Sequence, residues 1–173
     1  AFGYDGGVAT TELFTYTFTS LTAQVGSVEI LDIKLLKLFD VAEVAALDPS
    51  YEEFLEVCEC FGIVQATTSK PCDTLWFWWY EEWMKDEYSE EAIIEDLLMY
   101  DYANNPEPMD MYYSEDSSDR FFFAGLANDE AGAISELYIG ECFMLSKDMC
   151  SPAEEFLAMV KTESNSVVMF SRR

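Results

Sequence analysis

The sequence predicts an α+β domain, a small antiparallel sheet with about five helices packed on it. Three observations carry that prediction. Residues 11–22 alternate aromatics with threonines, the period of a half-buried strand. Helix-start signals recur at Ser50, Ser89 and Ser151. Strand-like and helix-like stretches do not alternate regularly, so a parallel βαβ sheet is disfavoured. At 173 residues, 50% hydrophobic and 16% aromatic, the chain suits one domain over 11–173 behind a glycine-rich flexible arm at 1–10.

The elements follow in order. Phe14, Tyr16 and Phe18 line one face of the strand over 11–22. Residues 28–47 read either as a helix with Leu31, Leu35, Leu38 and Ala42 on one side or as a strand at their start. Ser50 and Glu53 form a capping box, and Gly62 offers a stop for the helix it opens. Residues 63–68 suit a short strand and 69–72 a turn. Asp73 can cap a helix to Glu87 carrying Trp76, Trp79, Tyr80 and Trp83 on one stripe. Ser89 caps the next, with Ile93, Ile94, Leu97 and Leu98 inward.

Pro106 and Pro108 then break the chain. Residues 109–113 and 120–124 suit two strands of a hairpin around a polar turn, and Asn128 can cap a helix to Lys147. Ser151-Pro-Ala-Glu154 places serine at the cap, proline at the first helical position and glutamate closing the box. A strand over 166–171 ends the chain.

Charge is the outlier. Thirty-four acids against nine bases leave −25 at pH 7. Such a surface repels nucleic acid and anionic membranes and attracts basic partners, over a Debye length of about 8 Å in physiological salt. Direct nucleic-acid binding is excluded by sign. Adaptation to high salt would also account for the charge, but the acids cluster rather than spread, and Phe, Met and Cys are abundant.

Catalytic and metal signatures are missing from the sequence. There is no histidine, so the usual Ser-His and Cys-His pairs are ruled out, and no glycine-rich phosphate loop is flanked by a strand and a helix. Cys58-x-Cys60 lacks a second pair to complete a zinc site, and the acids over 110–119 lack the spacing and glycine of a calcium loop. The expectation is a non-enzymatic protein without cofactor or metal. Five cysteines, an odd number, favour a reducing compartment. No run of about 20 apolar residues and no signal-peptide pattern is seen. Cytoplasmic residence is expected, with an organelle or virion after processing as the alternative, since the chain starts at Ala1.

The acids concentrate between residues 81 and 119, where fourteen of them less one base, Lys85, leave −13. The candidate ridge comprises Glu82, Asp86, Glu87, Glu90, Glu91, Glu95, Asp96, Asp101, Glu115, Asp116 and Asp119. On a helix Glu87, Glu91 and Glu95 would fall on one line about 5–6 Å apart, a spacing near that of duplex phosphates. Like charges so placed cost about 0.2–0.5 kcal/mol per pair, which suggests that a basic partner sets them. Trp76, Trp79, Trp83 and Tyr88 are the candidate aromatic interface.

Small size, extreme acidity, many Tyr and Trp and few bases together resemble the DNA-mimic antirestriction inhibitors of phages and plasmids. Residues Ala124-Gly-Leu-Ala-Asn-Asp-Glu-Ala-Gly-Ala133 are also similar to a Gly-Glu-Leu-Ser-Ala-Asp-Ala-Ala-Gly segment of a plasmid antirestriction family. The resemblance implies carboxylates standing where phosphates would, in the basic groove of a defence or DNA-binding protein. The alternative is a structural accessory subunit of a larger assembly, docking through its aromatic patch. A homodimer is left open in either case.

Overall fold

β-Branched and aromatic runs with cross-strand partners set the frame of the molecule. The computed structural model describes residues 4–5, 8–9, 28–99, 108–116 and 118–163. Two short strands, β1 (Tyr4–Asp5) and β2 (Val8–Ala9), pair antiparallel. Then follow β3 (Ile30–Asp40), α1 (Val41–Leu47), a 3-10 segment (Pro49–Glu56), β4 (Cys60–Thr68) and β5 (Thr74–Glu81). Next come α2 (Met84–Glu87), α3 (Glu90–Met99), β6 (Met109–Met111), β7 (Phe121–Asn128), β8 (Tyr138–Ile139), a 3-10 turn (Lys147–Met149) and α4 (Ala153–Glu163). The class is α+β, but there are two three-stranded antiparallel sheets rather than one, ordered β3-β4-β6 and β5-β7-β8.

The two sheets share a core. Ile30, Ile33, Cys60, Val64 and Met111 of the first meet Phe77, Phe121, Phe123 and Ala127 of the second. Side chains alternate across a strand, so Tyr80 of β5 and the even-numbered residues of β7 face away from that core. There Tyr80, Phe122, Ala124 and Leu126 bury against Ile93 and Leu97 of α3. The outer face of the first sheet is sealed by α1, the 3-10 segment and α4. Phe61 stacks on Phe156 at 5.1 Å, and Tyr51 and Phe54 meet Phe61 edge-on. The order of layers is helices, sheet, sheet, helix.

Several expected elements differ. Trp76, Trp79 and Tyr80 of the expected stripe belong to β5, not to a helix from Asp73 to Glu87, because both strand faces are covered and the run is apolar, while Trp83 follows the strand at the start of α2. The strands expected as a hairpin join different sheets, β6 beside β4 and β7 between β5 and β8. The helix expected from Asn128 to Lys147 is instead extended, with Ile134 bridging Asn128 and β8 pairing with β7. Gly132, at φ 82, breaks any helical path there.

Gly62 lies within β4, not at a helix end. The 3-10 segment is capped by Asp48, whose carboxylate accepts from the Ser50 amide at 3.1 Å, rather than by Ser50. Residues 28–47 resolve as strand then helix. Ser89 caps α3, its Oγ accepting from the Ala92 amide at 3.3 Å, and α4 begins beside Ser151-Pro152. The strand expected over 11–22, the strand over 166–171 and the rest of the arm at 1–10 lie outside the described residues.

Candidate functional site

The strand pairings bring three distant stretches to one place. Glu81 at the end of β5 pairs with Phe121 at the start of β7, and Cys60 pairs with Met111 at the end of β6. Where these ends meet, a cleft of about 620 Å³ opens. Its aromatic surface is Trp79, Trp83, Tyr112, Tyr113 and Phe121. Its carboxylates are Glu59, Glu81, Glu82, Asp86, Glu115 and Asp119, and Arg120 is the one base in the lining.

The aromatic surface is held from behind. Trp79 donates its Nε1–H to the Asp110 carbonyl at 2.9 Å and meets Phe121 edge-on at 5.1 Å and Tyr112 at 6.1 Å. Tyr112 hydroxyl donates to the Val57 carbonyl. Trp83 and Tyr112 nevertheless stay 48% and 47% exposed.

Three carboxylates are fixed by neutral donors. Glu59 accepts the Tyr113 amide at 2.7 Å, Asp119 the Glu115 amide at 2.9 Å, and Glu81 the Trp83 indole N–H. Such bonds fix an oxygen without cancelling its charge. Glu82 faces Arg120, 3.9 Å away, but that guanidinium also donates to the Cys142 carbonyl at 2.7 Å. Lys85 is spent elsewhere, on the Gly140 carbonyl at 3.0 Å and over the Phe122 ring at 4.5 Å. The cleft therefore keeps a net negative charge.

Of the residues expected on one acidic ridge, the cleft gathers Glu82, Asp86, Glu115 and Asp119, with Trp79 and Trp83. Glu90, Glu91 and Glu95 are exposed on α3, which covers the opposite face of the second sheet. Glu91 is drawn back onto its own amide and the Ser89 hydroxyl, which lower its carboxyl below the usual range.

Glu87 ends α2, and the extended Tyr88 separates it from α3, so Glu87, Glu91 and Glu95 do not share one helix. Asp96 turns inward and accepts the Tyr80 hydroxyl at 2.7 Å. Asp116 closes its own turn by accepting the Ser118 amide at 2.6 Å, and Asp101 lies outside the described residues. Trp76 is half-buried in β5, while Tyr88 is exposed and edge-on to Trp83 at 6.0 Å. The carboxylates thus form two groups on two faces.

The structure adds Glu59, Glu81, Tyr112, Tyr113, Arg120 and Phe121 to the site. Their convergence depends on strand pairings such as Cys60 with Met111 and Glu81 with Phe121, which join stretches far apart in sequence and which local spacing does not encode.

A second polar cluster lies under a cavity of about 470 Å³ lined by Glu43, Cys150 and Glu154. Tyr113 hydroxyl donates to Asp40 Oδ2 at 2.9 Å and lies 3.1 Å from Cys150 Sγ, and Lys147 Nζ is 2.9 Å from the same Asp40 oxygen. Burial would raise the Asp40 carboxyl, but Lys147, the Glu43 amide and Tyr113 outweigh it and hold it below its usual range. Burial pushes the Tyr113 hydroxyl and the Cys150 thiol up. A nucleophile needs the opposite shift, so this cluster fits a structural knot rather than a reactive centre.

Among the described residues no three Cys, Asp or Glu side chains come together closely enough to hold a metal ion, and no helix is long and apolar enough to cross a membrane. No protein-family model, curated protein or solved structure matches this chain.

Proposed function

We propose that this protein is an acidic, non-catalytic binding module that takes the place of nucleic acid in the basic groove of a nucleic-acid-handling protein, acting as its inhibitor. The observation that carries the reading is the cleft's unbalanced charge, six carboxylates and one arginine around an aromatic surface. Amides and an indole hold exposed carboxylates in place without neutralising them, so their charge stays available to a partner. That arrangement is favourable overall once a basic partner supplies the missing charge. The whole-chain charge of −25 adds long-range steering toward such a partner. The compositional likeness to antirestriction inhibitors points the same way.

Mimicry here rests on the cleft and its rim more than on a helical ridge, because α3 presents its glutamates on the far side of the second sheet. The test is displacement of a fluorescent duplex from a set of restriction endonucleases, followed by anisotropy. The protein should displace the duplex at 50 mM salt and lose at least tenfold in potency by 200 mM. No displacement from any of them at 50 mM would contradict the reading.

A further inference from the structure

We infer that the aromatic cleft receives the guanidinium of an arginine side chain carried on a basic segment of another protein. This rests on the reading above and names what enters the site.

The starting point is the aromatic wall rather than the acids. Trp83 and Tyr112 are half in water at the cleft, although nearby rings such as Phe121 and Phe122 are buried. An occupant of that wall must cover apolar ring faces and answer negative charge at once. A metal ion does neither well, and the carboxylates are too far apart to hold one. A lysine ammonium answers the charge, but it is compact and strongly hydrated. A guanidinium is planar and weakly hydrated. It stacks on aromatic faces and offers paired N–H donors to carboxylates.

The donor geometry agrees. Glu81 accepts the indole N–H of Trp83, which places a carboxylate beside the exposed ring. Among the described residues, the Asp86 and Glu115 carboxylates have no hydrogen-bond or ion-pair partner. Arg120 already shows a guanidinium accommodated at this rim, between Glu82 and the Cys142 carbonyl. A volume of about 620 Å³ exceeds one side chain and leaves room for the backbone on either side of it.

The test is an NMR titration of the full chain with a capped Gly-Arg-Gly-Arg-Gly peptide and with its lysine counterpart. The arginine peptide should give saturable shifts centred on the Trp83 indole and the Tyr112 ring, and bind at least about threefold more tightly than the lysine peptide. Trp83→Leu should keep the dispersed spectrum of the folded chain and weaken the arginine peptide by about threefold to thirtyfold.

Equal affinity for Trp83→Leu and the parent, equal affinity for the two peptides, or shifts centred on Glu91 and Glu95 would each overturn the inference. The duplex assay separates this site from the wider reading. Displacement that survives Trp83→Leu unchanged removes the arginine site and leaves mimicry standing. Arginine peptide saturating the cleft, with no duplex displaced from any enzyme, supports the site and removes mimicry.

Discussion

Asp40 ties together three parts of the chain. It caps α1 by accepting the Glu43 amide at 2.9 Å, accepts the Tyr113 hydroxyl from beyond β6, and meets Lys147 before α4, all while 4% exposed. Asp40→Asn should cost about 1–3 kcal/mol at neutral pH in urea unfolding. Its folded carboxyl sits below the usual range. Its contribution is therefore complete above about pH 4 and fades as pH falls through the folded value, and the mutational cost should shrink with it.

Asp110 has the opposite sign. Burial raises its carboxyl, and the hydrogen bond with Cys58 only partly offsets that. A folded carboxyl that holds its proton more tightly than the unfolded one loses stability as pH rises above about 4. Asp110→Asn should accordingly be more stable than the parent at pH 7 and no more stable at pH 3. Matched unfolding curves at both pH values check the pair of predictions together. The same Cys58 thiol, buried beside Asp110, is pushed up to about 12, so slow alkylation by a thiol reagent at neutral pH is consistent with it.

At the scale of elements, the two sheets pack tightly against each other at Gly125 of β7. An added Cβ there would lie 2.9 Å from Ile33 Cδ1, 3.0 Å from Ile30 Cδ1 and 3.0 Å from the Trp76 carbonyl oxygen. Gly125→Ala should lower stability by about 1–3 kcal/mol, read from the urea midpoint. An unchanged midpoint would mean that the sheets separate more easily than their packing suggests.

The sequence was legible where one local rule decided the element. Ser89 and Ser151-Pro152 marked helix starts, and 63–68 marked part of β4. It misled where burial on both faces erased the period. Thr-Leu-Trp-Phe-Trp-Trp-Tyr-Glu reads equally as a helix stripe or a strand, and only its place between α3 and the first sheet makes it β5. Residues 128–147 carry apolar side chains at helical spacing, yet their amides and carbonyls pair with β7. Four site acids and two of its tryptophans were visible as an acidic, aromatic stretch. The other half of the cleft was not, because it arrives through β6 and β7 pairings of long sequence separation.

For the whole molecule, a charge of −25 with nine bases makes self-repulsion a standing cost, so the melting temperature should rise as sodium chloride is added from 10 to 300 mM. Binding to a basic partner should respond in the opposite direction, since the same salt screens the attraction that draws the partner in. Stability and affinity are thus expected to move apart with ionic strength. A solvent-exposed charge without a partner would show the first effect alone.

The central claim is that the cleft, rather than acidity in general, is what a basic protein recognises. Duplex displacement at 50 mM salt should be compared for two variants of equal charge change, Glu81→Gln/Asp86→Asn/Glu115→Gln in the cleft and Glu90→Gln/Glu91→Gln/Glu95→Gln on α3. The cleft variant should lose tenfold or more in potency and the α3 variant threefold or less. Equal losses, or a larger loss for the α3 variant, would contradict the account.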